Sequence, residues 1–133
     1  MQSYVLVIDD DAAVREFVTG LLGEEGYPVR NAADAYQAMD EVSSAAPDLL
    51  IVDLMMPGVN GAEFLTRLRR DRRWVDLPVI LISAHPRLRE IAEDLRVEVA
   101  LAKPFDIGQL LDSVGRIIGP PLPAPPALNT DRL

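Results

Sequence analysis

No cysteine occurs anywhere in the 133 residues. Disulfides, a thiolate nucleophile and a cysteine-ligated metal site are therefore excluded. There is one histidine, His85, so a polyhistidine metal centre is excluded as well. No apolar run approaches the ~20 residues of a membrane span. The opening "MQSYVLVIDDD" lacks a basic region and a small-residue cleavage site, so no signal peptide is expected. Positive charge is in deficit: 13 basic residues stand against 21 acidic ones, a formal balance of −8. That disfavours a free-standing nucleic-acid binder, which needs a basic footprint. No glycine-rich turn follows the first apolar run, so the dinucleotide-binding fingerprint is missing. These absences leave a soluble cytoplasmic protein as the expectation.

The apolar content, 49%, falls in short periodic segments, which argues for a globular chain with a real core. The length suits one domain. "YVLVI" (4–8) is a β-branched, all-apolar run of the kind buried on both faces of a sheet. Val14, Phe17, Val18, Leu21 and Leu22 follow at helical spacing, with Gly26 as the stop. "PVRNA" (28–32) is a weaker strand. Ala35, Ala38, Met39 and Val42 mark a second helix that Pro47 bars from continuing. "DLLIVD" (48–53) is a strand, "PGVNG" (57–61) is turn chemistry, and Phe64, Leu65 and Leu68 mark a third helix. "LPVILIS" (77–83) is a strand and Leu88, Ile91, Ala92 and Leu95 a fourth helix. "VEVALA" (97–102) is the last strand. Asp106 caps a fifth helix, with Gln109 at the capping-box position and an apolar face of Ile107, Leu110, Leu111, Val114 and Ile118.

Five strands thus alternate with five helices. Strict alternation in this length predicts an α/β fold, a doubly wound parallel sheet with helices on both faces. Five strands are too few for an eightfold barrel. Residues 1–119 are expected to form this domain. After Gly119 the composition changes to "PPLPAPPALNTDRL", and 120–133 reads as a Pro-rich disordered tail or linker stub. Its two PxxP matches, at 120–123 and 123–126, lack an evident flanking basic residue. The basic run "RLRRDRR" (67–73) reads as a solvated helix C-terminus, where arginines complement the helix dipole.

A doubly wound sheet binds ligands at the carboxyl ends of its strands. Those ends carry the chemistry. Asp9, Asp10 and Asp11 follow the first strand, Asp53 ends the third, Ser83 the fourth and Lys103 the fifth. Neighbouring carboxylates repel, by roughly 1 kcal/mol at 4 Å in water and about 4 at an effective dielectric near 20. A hard divalent cation removes that repulsion, and magnesium takes carboxylates, a carbonyl and waters while leaving positions for phosphate oxygens. A lysine and a hydroxyl facing the same centre suit a transferring phosphoryl group, and a carboxylate could serve as its nucleophile.

"VIDDD", "IVDLMMPGVNG", "VILISA" and "LAKPF" together resemble the signatures of the CheY-like receiver domain of two-component response regulators. The likeness runs from residue 4 to about 118 in order. It implies a flavodoxin-like strand order 2-1-3-4-5. Asp53 is then the acceptor of a phosphoryl group from a sensor histidine kinase or phosphotransfer protein. Asp10 binds magnesium directly and Asp9 mostly through water, with Asp53 and the backbone carbonyl of Met55 completing the protein ligands. Ser83 bonds to the phosphoryl group, and Lys103 pairs first with the carboxylate and then with the phosphate, with a cis peptide to Pro104. Asp11 matches no family metal ligand and reads as a helix N-cap. A downstream protein target is implied, with the chain a monomer or weak homodimer.

Two positions depart from the family. Ala100 stands where an aromatic is usual, three residues before the lysine. The stretch from Ser83 to Lys103 is about two residues short, so a trimmed or distorted fourth helix is expected. Met55 places an apolar side chain beside the site, and His85 is either a loop residue before Pro86 or a modulator of water attack. Two alternatives stay open: a degenerate receiver that acts only as a binding module, and a magnesium-dependent phosphohydrolase of the haloacid-dehalogenase kind. The latter wants a second Asp where this chain has Met55.

Overall fold

The computed structural model describes residues 3–121. Five strands alternate with five helices: β1 (Val5–Ile8), α1 (Ala12–Glu24), β2 (Val29–Ala32), α2 (Ala35–Ser44), β3 (Leu49–Asp53), α3 (Gly61–Arg69), β4 (Val79–Ser83), α4 (Leu88–Asp94), β5 (Val99–Ala102) and α5 (Ile107–Ile118). All strand pairings are parallel, in the order β2-β1-β3-β4-β5. This is the doubly wound flavodoxin-like sheet that the alternation and the family likeness predict.

Period two divides the strand side chains between two cores. Leu6, Ile8, Leu50, Val52 and Leu81 face α2, α3 and α4. Val5, Val7, Leu49, Ile51, Ile80 and Ile82 face α1 and α5. Every residue of β1, β3 and β4 is buried. That is why these segments read as unbroken apolar runs rather than alternating ones. Each fully buried Leu, Ile or Val contributes about 1.5–3 kcal/mol relative to an exposed one. β5, at the sheet edge, is only partly covered.

Local signals end the helices where the sequence places them. The Asp11 side chain accepts the N–H groups of Ala13 and Val14 and caps α1. Gly26, at φ 97°, takes the chain out of that helix through a conformation that side chains disfavour. Asp34 caps α2 through Gln37 N–H, while the Gln37 side chain accepts from Ala33 N–H. Asp106 caps α5 through the N–H of Gln109. α4 has seven residues, no side-chain cap at its start, and an exit through Arg96 at φ 55°. It is the shortest of the five helices, in keeping with the short Ser83–Lys103 spacing.

Two residues assigned to buried helix faces are exposed. Phe17 is 50% exposed and Ile107 43%. The stripe of α1 that packs is Val14, Val18, Leu21 and Leu22. Phe17 lies about 90° from its centre at 100° per residue. Ile107 has the right angle on α5 but occupies the first turn, beyond the strand ends. Residues 122–133, most of the Pro-rich segment, lie outside the described residues, with the second PxxP match wholly and the first in part. Among the described residues no helix is long and apolar enough to cross a membrane.

Candidate phosphoacceptor and metal site

Parallel register delivers the polar residues to one edge. Ile8 pairs with Val52, so Asp9 and Asp53 follow side by side, one step further on. Ser83 pairs with Ala102, so Lys103 follows on β5, and its N–H donates to the Ser83 carbonyl at 2.9 Å. The Lys103–Pro104 peptide is cis. Residues separated by up to 94 positions thereby share one pocket: Lys103 Nζ donates to Asp53 Oδ2 at 3.1 Å and to Asp9 Oδ2 at 3.2 Å.

Burial sharpens the electrostatics. Asp9 is fully buried and Asp53 nearly so, whereas Asp10 is exposed. Burial pushes the Asp53 carboxyl above its ordinary value of 3.8, and the Asp9 charge adds to this. The N–H of Met55, 3.0 Å from Oδ1, and the Lys103 ammonium pull the other way without overcoming it. For Lys103, burial acts to lower the pKa, yet the bond to Asp53 and the two carboxylate charges leave it above 10.5. The two directions agree physically: one ammonium serves two buried carboxylates, so the cation is well compensated and Asp53 is not.

Ligand atoms of Asp9, Asp10 and Asp53 lie within 4.8 Å of one another. All are hard carboxylate oxygens, and one carboxylate, Asp10, opens to solvent. This donor set fits magnesium rather than a soft transition metal. The uncompensated negative charge gives such an ion a reason to bind.

Ser83 is fully buried at the end of β4. Its Oγ accepts the His85 N–H at 3.0 Å, which leaves the hydroxyl proton free to be donated elsewhere. His85 Nδ1 accepts the Arg87 N–H at 3.0 Å, so the ring closes the loop before α4. His85 also lines an open groove of about 480 Å³ beside the site, with Leu54, Met55, Met56, Asn60, Ala62 and Ile91. Met55 is 55% exposed at its mouth. Ala100 is partly buried against the core on the α4 side, where its methyl replaces a ring.

Two contributions come only with the structure: the close approach at Gly61, which the sequence reading placed in a turn and in the motif after Asp53, and a bond from Arg15, which it did not single out. Gly61 lies so close to the end of β3 that an added Cβ would sit 2.4 Å from the Asp53 carbonyl oxygen and 2.9 Å from Leu54 Cα. The glycine eight residues after Asp53 therefore lets α3 start against the end of β3. Arg15, on α1, donates from Nη1 to the Asp9 carbonyl at 2.7 Å. Only its position, about one helical turn after the acidic run, hinted at that.

A 2-1-3-4-5 sheet with three carboxylates and one lysine at its carboxyl edge defines the class of CheY-like receivers. The match to the response regulator receiver domain family spans residues 5–115, and the chain belongs to that family. It is 32% identical over 120 residues to sporulation initiation phosphotransferase F of Bacillus subtilis, covering 89% of this chain and 95% of that protein. It is 34% identical to the DNA-binding dual master transcriptional regulator RpaA of Synechocystis, covering 86% of this chain but 48% of that one. The chain thus spans about half the length of some of the curated relatives it matches. Among solved structures, chemotaxis protein CheY4 of Vibrio cholerae superposes with a TM-score of 0.80 at 28% identity, over 89% of this chain and all of that one. A response regulator receiver protein from Pseudomonas putida gives 0.81 at 29% identity, over 87% and 98%.

Proposed function

We propose that this receiver takes a phosphoryl group onto Asp53 from the phosphohistidine of a sensor kinase or phosphotransfer protein. A carboxylate oxygen of Asp53 forms the new bond to phosphorus as the bond to the donor imidazole breaks. The observation that carries this is Asp53 itself, buried and short of positive charge, with the Lys103 ammonium 3.1 Å away. Lys103 holds the carboxylate before transfer and balances phosphoryl oxygen charge after it. The Met55 N–H fixes one carboxylate oxygen. Ser83 gives its free hydroxyl proton to a phosphoryl oxygen.

Asp10, Asp53 and the Met55 carbonyl would hold magnesium. Asp9, already bonded to Lys103 and to the Asp11 N–H, would hold it mainly through water. When bound, the ion supplies positive charge to the phosphoryl oxygens and relieves the repulsion among the carboxylates.

The phosphorylated state shifts a pre-existing equilibrium of the surface formed by α4, β5 and α5, which a downstream protein target reads. With Ala100 there is no ring to turn inward, and α4, short and without a side-chain cap, is the element that moves. Ala100 also supports a second reading, a receiver that binds a partner without being phosphorylated. A phosphohydrolase is not supported, because exposed Met55 stands where that chemistry needs a second acid.

Intact mass after incubation with acetyl phosphate and magnesium tests the proposal, beside Asp53→Asn. One added phosphoryl group on the wild type alone is the expected result. No addition, with magnesium shown to bind, would replace it with the binding-module reading.

A further inference from the structure

The Asp10 carboxylate is exposed, and among the described residues no hydrogen bond or ion pair holds it. The direction of its Cα–Cβ bond, and with it the positions the carboxylate can reach, is set by the backbone on either side. That backbone is fixed at a few points. The Asp9 N–H donates to the Ala32 carbonyl at 3.2 Å, and the Asp11 N–H donates to Asp9 Oδ1 at 2.9 Å. Asp11 is tied to the start of α1 through Ala13 and Val14. The Asp9 carbonyl shares a rigid peptide plane with the N of Asp10. It accepts from Arg15 Nη1 at 2.7 Å, a short charge-assisted bond.

We infer that Arg15 is a positioning residue for the metal site: by holding the Asp9–Asp10 peptide plane, it aims the Asp10 carboxylate at the cation. The inference rests on the reading of the acidic cluster as a magnesium site. Two effects of Arg15 oppose each other. Its positive charge near three carboxylates disfavours a cation, while its bond to the carbonyl pre-organises a ligand of that cation. Among the described residues no ion pair joins Arg15 to Asp9, Asp10 or Asp53. Arg15 is partly exposed to solvent, so its field is screened. The geometric effect therefore outweighs the Coulombic one. Partners that orient metal ligands typically change affinity by about 10–100-fold. Arg15 acts through one peptide group, which places it at about tenfold.

The sign of the effect is the test. Magnesium chloride alone is titrated into wild type, Arg15→Met and Arg15→Lys, and the melting temperature is followed. Each variant is referred to its own metal-free melting temperature, so a plain loss of stability does not register as a loss of affinity. Arg15→Met is expected to need about tenfold more magnesium, with Arg15→Lys between it and wild type. In an Asp10→Asn background, Arg15→Met is expected to change little further, because the ligand it aims is gone. Equal or tighter magnesium binding by Arg15→Met would overturn the inference while leaving the metal site intact. A full tenfold effect that persists without the Asp10 carboxylate would overturn the route through Asp10. No magnesium response in the wild type would overturn the metal reading and this inference together.

Discussion

Lys103 Nζ sits 3.1 Å from Asp53 Oδ2 and, with the same ammonium, 3.2 Å from Asp9 Oδ2. A single cation thus spans two buried carboxylates at the ends of β1 and β3. The arrangement is short by about one positive charge, and the stability of the metal-free domain should reflect that deficit.

Asp53→Asn is expected to raise metal-free stability at neutral pH. Burial holds the Asp53 carboxyl above 3.8, so its folded-state pKa exceeds its unfolded one. Such a group stabilises the fold fully below the unfolded pKa, and that contribution is lost as pH rises through the folded pKa. The advantage of Asn, which still accepts the Met55 N–H and carries no charge, should therefore be absent below about pH 4 and grow toward neutrality. Urea midpoints in chelator at pH 4 and pH 7.5 measure it. Equal stabilities at pH 7.5 would show that Lys103 already compensates the charge in full.

Met55→Asn should shorten the lifetime of the phosphorylated state. Met55 leaves an apolar, half-exposed side chain at the mouth of the groove beside Asp53. An amide there can hold a water near the acyl phosphate. A change of roughly 1 kcal/mol in the hydrolysis barrier corresponds to about a fivefold faster loss. The decay of the phosphorylated mass after removal of acetyl phosphate reads it, and an unchanged or slower decay contradicts the role given to Met55.

Gly61→Ala should damage both fold and acceptor. The new methyl would lie within 2.9 Å of Leu54 Cα and closer still to the Asp53 carbonyl, both backbone atoms at the end of β3. The strain is expected to cost about 2–3 kcal/mol in urea unfolding. Phosphoryl uptake should slow as well, because Asp53 moves with its own backbone.

Arg69→Met should destabilise without touching the chemistry. Arg69 donates to the carbonyls of Val75 and Leu77 at 3.0 and 2.7 Å and to those of Leu95 and Arg96 at 3.3 Å. One guanidinium thus ties the loop before β4 to the exit of α4. Losing it leaves several carbonyls unpaired, at about 2–3 kcal/mol. Phosphoryl uptake under stabilising conditions should stay within about twofold of wild type, since the loss lies at the other end of the sheet from Asp53.

Arg69 also shows where a sequence reading stops. The run Arg67–Arg73 reads as a solvated helix end, and for most of it the structure agrees. Only folding brings carbonyls of two distant loops within reach of one of its members. Phe17 and Ile107 mark the same limit in reverse. Helical periodicity says which side of a helix is apolar, but not how far the neighbouring sheet extends beneath it.

The sequence by itself determined the alternation of strands and helices, because residues buried on both faces of a parallel sheet must be apolar without a break. It determined the caps at Asp11 and Asp106, because a helix start needs a short acceptor at one position. It also supplied the list of polar residues at strand ends. The tertiary structure decided what those residues do to one another. Parallel register set Asp9 beside Asp53 and reached Lys103 across to both, and burial left these two carboxylates as one site short of positive charge. Distances across strands depend on register and twist, and desolvation depends on everything packed around a group; neither is written in any local stretch of chain.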